Sequence, residues 1–163
     1  MAGPATGWLP DSSSAHLMAA ARAGAGAKWF YWIAGLSILN SLVVIFGGQF
    51  HFVIGLGITG VVDAVARQAG SAGPVLDIVI NGFVAGVFCL FGYFAGKLQK
   101  WAFVAGMALY ALDGLLLFTV KDILGVGFHA YALFAIYRGL AALNQAPNPE
   151  PASGVNADPV VPR

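Results

Sequence analysis

Residues 101–140 read WAFVAGMALYALDGLLLFTVKDILGVGFHAYALFAIYRGL. They consist of two long apolar segments on either side of the short polar break Thr119–Asp122. A transmembrane helix needs about 20 mainly apolar residues, because each residue adds about 1.5 Å to its length. Both segments meet this requirement, so the stretch predicts two spanning helices joined by a tight turn at Lys121. Asp113 and His129 each lie roughly eight residues, or about 12 Å, from Lys121. This spacing predicts an acid and an imidazole at similar depth on neighbouring antiparallel helices.

The composition of the whole chain agrees with a membrane protein. Of its 163 residues 59% are hydrophobic and only 9% are charged, and the mean hydropathy is +0.80. Soluble domains carry about 25% charged residues, so lipid must be the solvent for much of this surface. The net charge of +1 provides no basic field for nucleic acid, which we exclude as a partner. We therefore predict an all-α, polytopic transmembrane helix bundle whose surroundings are the lipid bilayer.

The remaining apolar segments bring the number of predicted spans to five. Trp29–Gly48 has no charged residue in 20 positions, and Val75–Gly96 is similarly apolar and follows a proline suited to the first turn of a helix. Phe50–Ala66 is shorter and contains Asp63. An alternative topology has four spans, with Phe50–Ala66 lying in the membrane interface.

Outside these segments the composition changes. Residues 1–28 are rich in Gly, Ala and Ser, and we predict an N-terminal tail that is flexible or forms a surface helix. Residues 29–143 form the predicted transmembrane domain. Residues 144–163 are rich in Pro, Asn and Ala, which predicts a disordered C-terminal tail because they cannot bury enough apolar surface. The lack of a cleavable signal favours a multi-pass protein of the bacterial cytoplasmic (inner) membrane.

An internal repeat relates the second half of the bundle to the first. The segments 77–85 and 122–130 share Asp, Ile, Gly, Phe and Ala in register, and Asp63 aligns with Asp113. The chain is thus interpreted as one helix followed by a duplicated helical hairpin, helices 2–3 and 4–5. Two copies in the same orientation are an arrangement that some transporters use.

Ionisable residues inside a bilayer cost free energy and therefore indicate a partner or a function. Asp113 and His129 are the main candidates, either as a hydrogen-bonded pair that fixes helix packing or as a site that binds and releases a proton. Asp77 and Asp122 are predicted N-terminal helix caps, because a carboxylate is favourable at the positive end of a helix. The other intramembrane polar candidates are Asp63 with Arg67 four residues later, Asn81, and Asn40, which shares a helix face with Ser37 and Ser41.

The sequence predicts no enzyme, no cofactor and no metal site. A single cysteine, Cys89, excludes an internal disulfide and a Cys-based zinc site, and the His and acidic residues lack ligand spacing. Gly57-Ile-Thr-Gly60 is similar to the GxSG motif of rhomboid-type intramembrane proteases, with His129 in the place of a base. Thr59 stands where that family has its serine, and the flanking signatures are absent.

Two functions follow from these features. The first is a non-enzymatic structural or accessory subunit that forms a homo-oligomer or joins a larger membrane complex. The pairs Gly82/Gly86 and Gly92/Gly96 on the third helix favour it, since small residues four apart permit close helix packing. The alternative is a small proton-linked transporter or channel that uses the Asp113–His129 pair.

Overall fold

The computed structural model describes residues 12–45 and 56–146, apart from the side chains of a few helical residues. The chain within these two ranges forms helices and no strand. Gly70–Ala72 forms a short 3-10 turn. The five α-helices are α1, Ser12–Ile45; α2, Gly57–Gln68; α3, Gly73–Gly96; α4, Lys100–Thr119; and α5, Ile123–Gln145.

Three helical segments are long and apolar enough to cross a membrane: Gly70–Gly96, Lys100–Thr119 and Ile123–Gln145, with mean hydropathies of 2.1, 1.8 and 1.3. They correspond to the last three predicted spans, and the prediction of an all-α bundle is confirmed. The first two predicted spans, Trp29–Gly48 and Phe50–Ala66, both extend into residues 46–55, which lie outside the described residues. Residues 1–11 and 147–163 of the predicted tails lie outside them as well.

Helix α1 runs without a break from Ser12, through residues predicted to form a flexible tail or a surface helix, into the first predicted span. Its first half packs on α5, where Gly26 and Gly139 bring the two backbones together. A Cβ atom added to Gly26 would lie 2.8 Å from the Cα of Gly139. Ala23 and Ala27, on the same side of α1, are fully buried. This contact supplies the packing that keeps the Gly- and Ala-rich segment helical, because small residues allow backbones to approach closely.

Aromatic side chains fill the centre of the bundle. The Phe30 ring of α1 has its centroid 6.1–6.4 Å from those of Phe88, Phe91 and Phe103. Gly106 of α4 provides the space for the Phe30 ring. The outer surface is apolar too: many large hydrophobic side chains on α3, α4 and α5 are more than half exposed, as expected for helices surrounded by lipid.

The start of α2 lies inside the bundle and not at its edge. The Leu56 amide donates a hydrogen bond to Ser37 Oγ, roughly eight residues and about 12 Å before the end of α1. At its other end α2 meets the start of α3, where Gly73 packs directly on the carbonyl of Ala66. Helix α2 therefore runs from the interior of the bundle outward, to the side on which α3 begins.

Candidate functional site at the start of helix α2

A carboxylate from α4 binds the first amides of α2. Asp113 Oδ2 accepts a hydrogen bond from the Gly57 N–H at 2.6 Å, and Asp113 Oδ1 accepts one from the Ile58 N–H at 2.8 Å. The first N–H groups of any helix have no partner within that helix. The N-cap residue here is Leu56, whose apolar side chain makes no capping bond. Asp113 replaces the missing local cap, and its charge is favourable at the positive end of the helix.

Ser37 of α1 extends this arrangement by one residue. Its hydroxyl accepts the Leu56 N–H at 3.2 Å and donates to the Ile33 carbonyl at 2.9 Å. Three successive amides, at positions 56, 57 and 58, are thus bound by side chains of two other helices. Ser37, Leu56 and Asp113 are all buried, with exposed fractions of 0%, 4% and 8%. Side chains take the place of water here, because a buried N–H without a partner would cost about 1–3 kcal/mol.

His129 of α5 makes a further hydrogen bond to the same carboxylate. Its Nε2 lies 2.8 Å from Asp113 Oδ2, and its Nδ1 lies 2.8 Å from the Gly125 carbonyl oxygen. A carbonyl only accepts, so Nδ1 carries a hydrogen. A second proton lies between Nε2 and the carboxylate, since two lone pairs would repel each other at this distance. The pair therefore shares one proton beyond the one on Nδ1, and both imidazole nitrogens are engaged.

Tyr110 holds the imidazole ring in place. The two rings stack with centroids 4.1 Å apart and an angle of 15° between their planes. On α4, Gly114 leaves room for the imidazole, since a Cβ there would lie 3.3 Å from His129 Cβ. Tyr110 is completely buried, and within the described part of the chain its hydroxyl has no hydrogen-bond partner. Stacking and two hydrogen bonds together leave His129 one orientation.

A second buried polar cluster joins α3 to α1. Asn81 Nδ2 donates to Ser41 Oγ at 2.7 Å and to Asp77 Oδ1 at 3.0 Å. Asp77, Asn81 and Ser41 are 3%, 2% and 5% exposed. Asn40 is buried beside Ser41 on α1. The polar face that the sequence places on the first helix is thus an internal contact surface of the bundle.

Asp77 does not occupy the capping position that the sequence assigns to it. Helix α3 begins at Gly73, two residues earlier than predicted, because Pro74 fits its first turn and the turn 70–72 leads directly into it. The N-cap residue is Ala72, which makes no side-chain capping bond. Asp77 lies in the second turn and bonds to a side chain instead. A duplicated hairpin would place Asp77 and Asp122 in equivalent positions. In the structure their positions differ, because Asp122 is an N-cap and Asp77 is not.

Asp122 lies at the predicted capping position of α5 and accepts a hydrogen bond from the Gly125 N–H at 3.0 Å. The carbonyl of the same Gly125 accepts the bond from His129 Nδ1. The α4–α5 turn is thereby connected to the site. Asp63 and Arg67 lie on α2, and their side chains are outside the described residues.

The sequence placed Asp113 and His129 at one depth, but it did not show that Asp113 binds the α2 amides or that Ser37 binds the amide of Leu56. One signal was present. The residues before Ile58 are Gly-Leu-Gly, which offer no side-chain acceptor for a helix that starts there. A helix start without a local cap inside an apolar region requires an acceptor from elsewhere.

The described residues contain no group of three or more His, Cys, Asp or Glu side chains that could hold a metal ion. The chain matches no protein-family model, and comparisons with curated proteins and with solved structures give no match either. The class that the fold and the site define is a helical bundle with three apolar helices that could span a membrane, organised around an internal helix start.

Proposed function

We propose that this protein is a non-enzymatic, multi-pass protein of the bacterial cytoplasmic membrane that serves as a structural or accessory subunit. This proposal is supported by the contacts of the Asp113–His129 pair, whose hydrogen bonds all join one helix to another or hold the imidazole in place. The carboxylate binds two α2 amides and the imidazole, and both imidazole nitrogens have partners. Polar groups committed to fixing helices in this way support a role in packing rather than in a reaction.

The proposal includes a topology of four spans and one re-entrant helix. Helix α2 has 12 residues, or about 18 Å, which is too short to cross a hydrocarbon core of about 30 Å. Asp113, which binds the first amides of α2, lies about 9 Å from the end of α4. Both the end of α2 and the end of α1 would then lie on one side of the membrane. Helices α1, α3, α4 and α5 span, in place of the five spans that the sequence predicts.

The topology is tested by locating the two termini. Four spans place the start of α1 and the end of α5 on the same side of the membrane, whereas five spans place them on opposite sides. Single cysteines introduced at Ser13 and Ser153, each in a Cys89→Ala background, should react with a membrane-impermeant maleimide from the same side in oriented vesicles. Labelling from opposite sides would contradict the re-entrant helix.

The subunit role predicts that the outer face of α3 contacts another chain. Gly82 and Gly86 lie on this face, exposed, and a Cβ at either would meet no atom within 4 Å. Gly86→Leu should therefore leave the bundle intact and dissociate the assembly, as measured by light scattering in mild detergent. Gly92→Leu is the matched control, because a Cβ there would lie 2.9 Å from the Tyr31 ring and disturb the fold itself. A monomeric wild type in mild detergent and in membranes would contradict the proposal.

A proton-linked transporter or channel is the second candidate. It is favoured by the position of the α2 start, since transporters use helix ends inside the membrane to bind ions and substrates. Asp113–His129 would bind the proton, and loss of the pair would free the α2 amides. Asp113→Asn should then abolish pH-driven flux in proteoliposomes, while Asp122→Asn, a carboxylate at the edge of the bundle, should preserve it. Wild-type protein without flux under any proton gradient would exclude this role.

A further inference from the structure

A cavity of about 400 Å³ lies between the start of α2 and the facing sides of α3 and α4. Three of its lining residues, Phe83, Leu109 and Leu112, are 72%, 41% and 63% exposed, so the cavity opens on the apolar outer surface of the bundle. Its inner end is formed by Leu56, Phe88 and Asp113, which are buried. The volume is within the range of small-molecule sites in proteins.

Among the described residues that line this cavity, Asp113 has the single polar side chain; the others are Leu56, Ile58, Phe83, Val84, Val87, Phe88, Leu109, Leu112 and Leu116. Its Oδ2 accepts two hydrogen bonds and its Oδ1 accepts one, while a carboxylate has about four acceptor positions. Within the described part of the chain, one acceptor position on Oδ1 is therefore left, on a residue that lines the inner end of an apolar cavity. A hydrogen-bond donor is the complementary chemical group.

The surroundings of Asp113 restrict what this donor can be. The proton shared with His129 already balances the carboxylate, so an ammonium group would add an uncompensated charge to an apolar site. A carboxylate would be repelled. A second polar group on the ligand would have no partner among the described residues of the apolar walls. A neutral molecule with one hydroxyl and an otherwise apolar body satisfies all three conditions.

We propose that this cavity binds a lipid-soluble alcohol, which enters from the bilayer between α3 and α4 and donates its hydroxyl hydrogen to Asp113. The apolar body lies along Phe83, Val87 and Leu112. Its hydroxyl completes the hydrogen bonding of the carboxylate that holds the start of α2. Occupancy is therefore coupled directly to the contact between α2 and α4.

The test uses a long-chain alkanol that carries a photoreactive diazirine, with the wild-type protein in lipid nanodiscs. Mass spectrometry should locate the label in the segments 83–88 and 109–116. Unlabelled 1-dodecanol should compete for labelling about tenfold better or more than its methyl ether, because a hydrogen bond to a charged acceptor contributes this much. Farnesol as a second competitor distinguishes an isoprenoid alcohol from a straight-chain alcohol, and dodecanoate should not compete.

Two variants of α3 control for non-specific labelling. Val87→Phe fills the cavity and should abolish the competable label, while Val79→Phe, on the exposed surface of the same helix and outside the cavity, should retain it. Thermal unfolding of both variants verifies that they are folded. Equal competition by the alcohol and its ether would overturn the proposal, since lipid tails would then account for the label. Label that is undiminished in Val87→Phe would overturn it too.

Discussion

Helices α2 and α5 both begin with backbone amides bound by an aspartate, but the two aspartates come from very different places in the chain. Asp122 binds the amide of Gly125, three residues later. Asp113 binds the amides of Gly57 and Ile58, which precede it by 56 and 55 residues. The local cap belongs to the helix that it starts. The remote cap belongs to another helix, and it requires the bundle to be assembled.

The two caps also differ in whether water can replace the aspartate as a hydrogen-bond acceptor. Asp122 lies at a turn and is partly exposed, so water can replace it at the Gly125 amide. Asp113 is 8% exposed and lies beside apolar side chains, where water is not available to the amides. The same chemical group should therefore make very different contributions to stability, and substitutions at the two sites measure that difference.

The largest effect is expected for Asp113→Leu. This change removes the acceptor of two buried amides and the partner of His129 together. We expect a loss of about 3–5 kcal/mol in the free energy of unfolding, as for other broken buried pairs. Denaturant titration in detergent, followed by circular dichroism, measures the loss. Asp113→Asn, which keeps one acceptor oxygen, should lose less, and a Leu variant within about 1 kcal/mol of wild type would refute the remote cap.

A smaller effect is expected for His129→Leu. The carboxylate keeps its two amide donors but loses the imidazole, which should cost about 1–3 kcal/mol in the free energy of unfolding. His129→Gln retains a donor and should recover part of this loss. In a double-mutant cycle with Asp113→Asn the two losses should be clearly non-additive, because the side chains are in contact. Additive losses would show that the hydrogen bond does not stabilise the fold.

The smallest effect is expected for Asp122→Ala, about 0.5–1 kcal/mol, which is typical of a solvent-accessible N-cap. Hydrogen exchange should show faster opening of the first turn of α5 and little change at the start of α2. A loss as large as that of Asp113→Leu would mean that distance along the chain and burial do not separate the two caps. The hydrogen bond between Gly125 and His129 would then be the contact through which the loss of Asp122 destabilises the buried pair.

Much of this arrangement could be predicted from residues alone. The helical rise and the turn at Lys121 brought Asp113 and His129 to the same depth, and the structure places their side chains 2.8 Å apart. The buried face of Ser37, Asn40 and Ser41 followed from helical periodicity. The start of α3 was predicted two residues late, which made Asp77 look like a cap although it lies one turn inside the helix.

Three features depend on neighbours within a few residues and could therefore be predicted from the amino-acid sequence: the apolar helices, the turn between α4 and α5, and the start of α5 at Asp122. The start of α2 inside the bundle, where Asp113 and Ser37 accept hydrogen bonds from its amides, depends instead on tertiary packing. Those contacts join residues 19 to 56 positions apart. They depend on how each helix is rotated about its axis. Packing selects this rotation, through the contact of Gly26 with Gly139 and of Phe30 with its aromatic neighbours. No local pattern specifies that rotation.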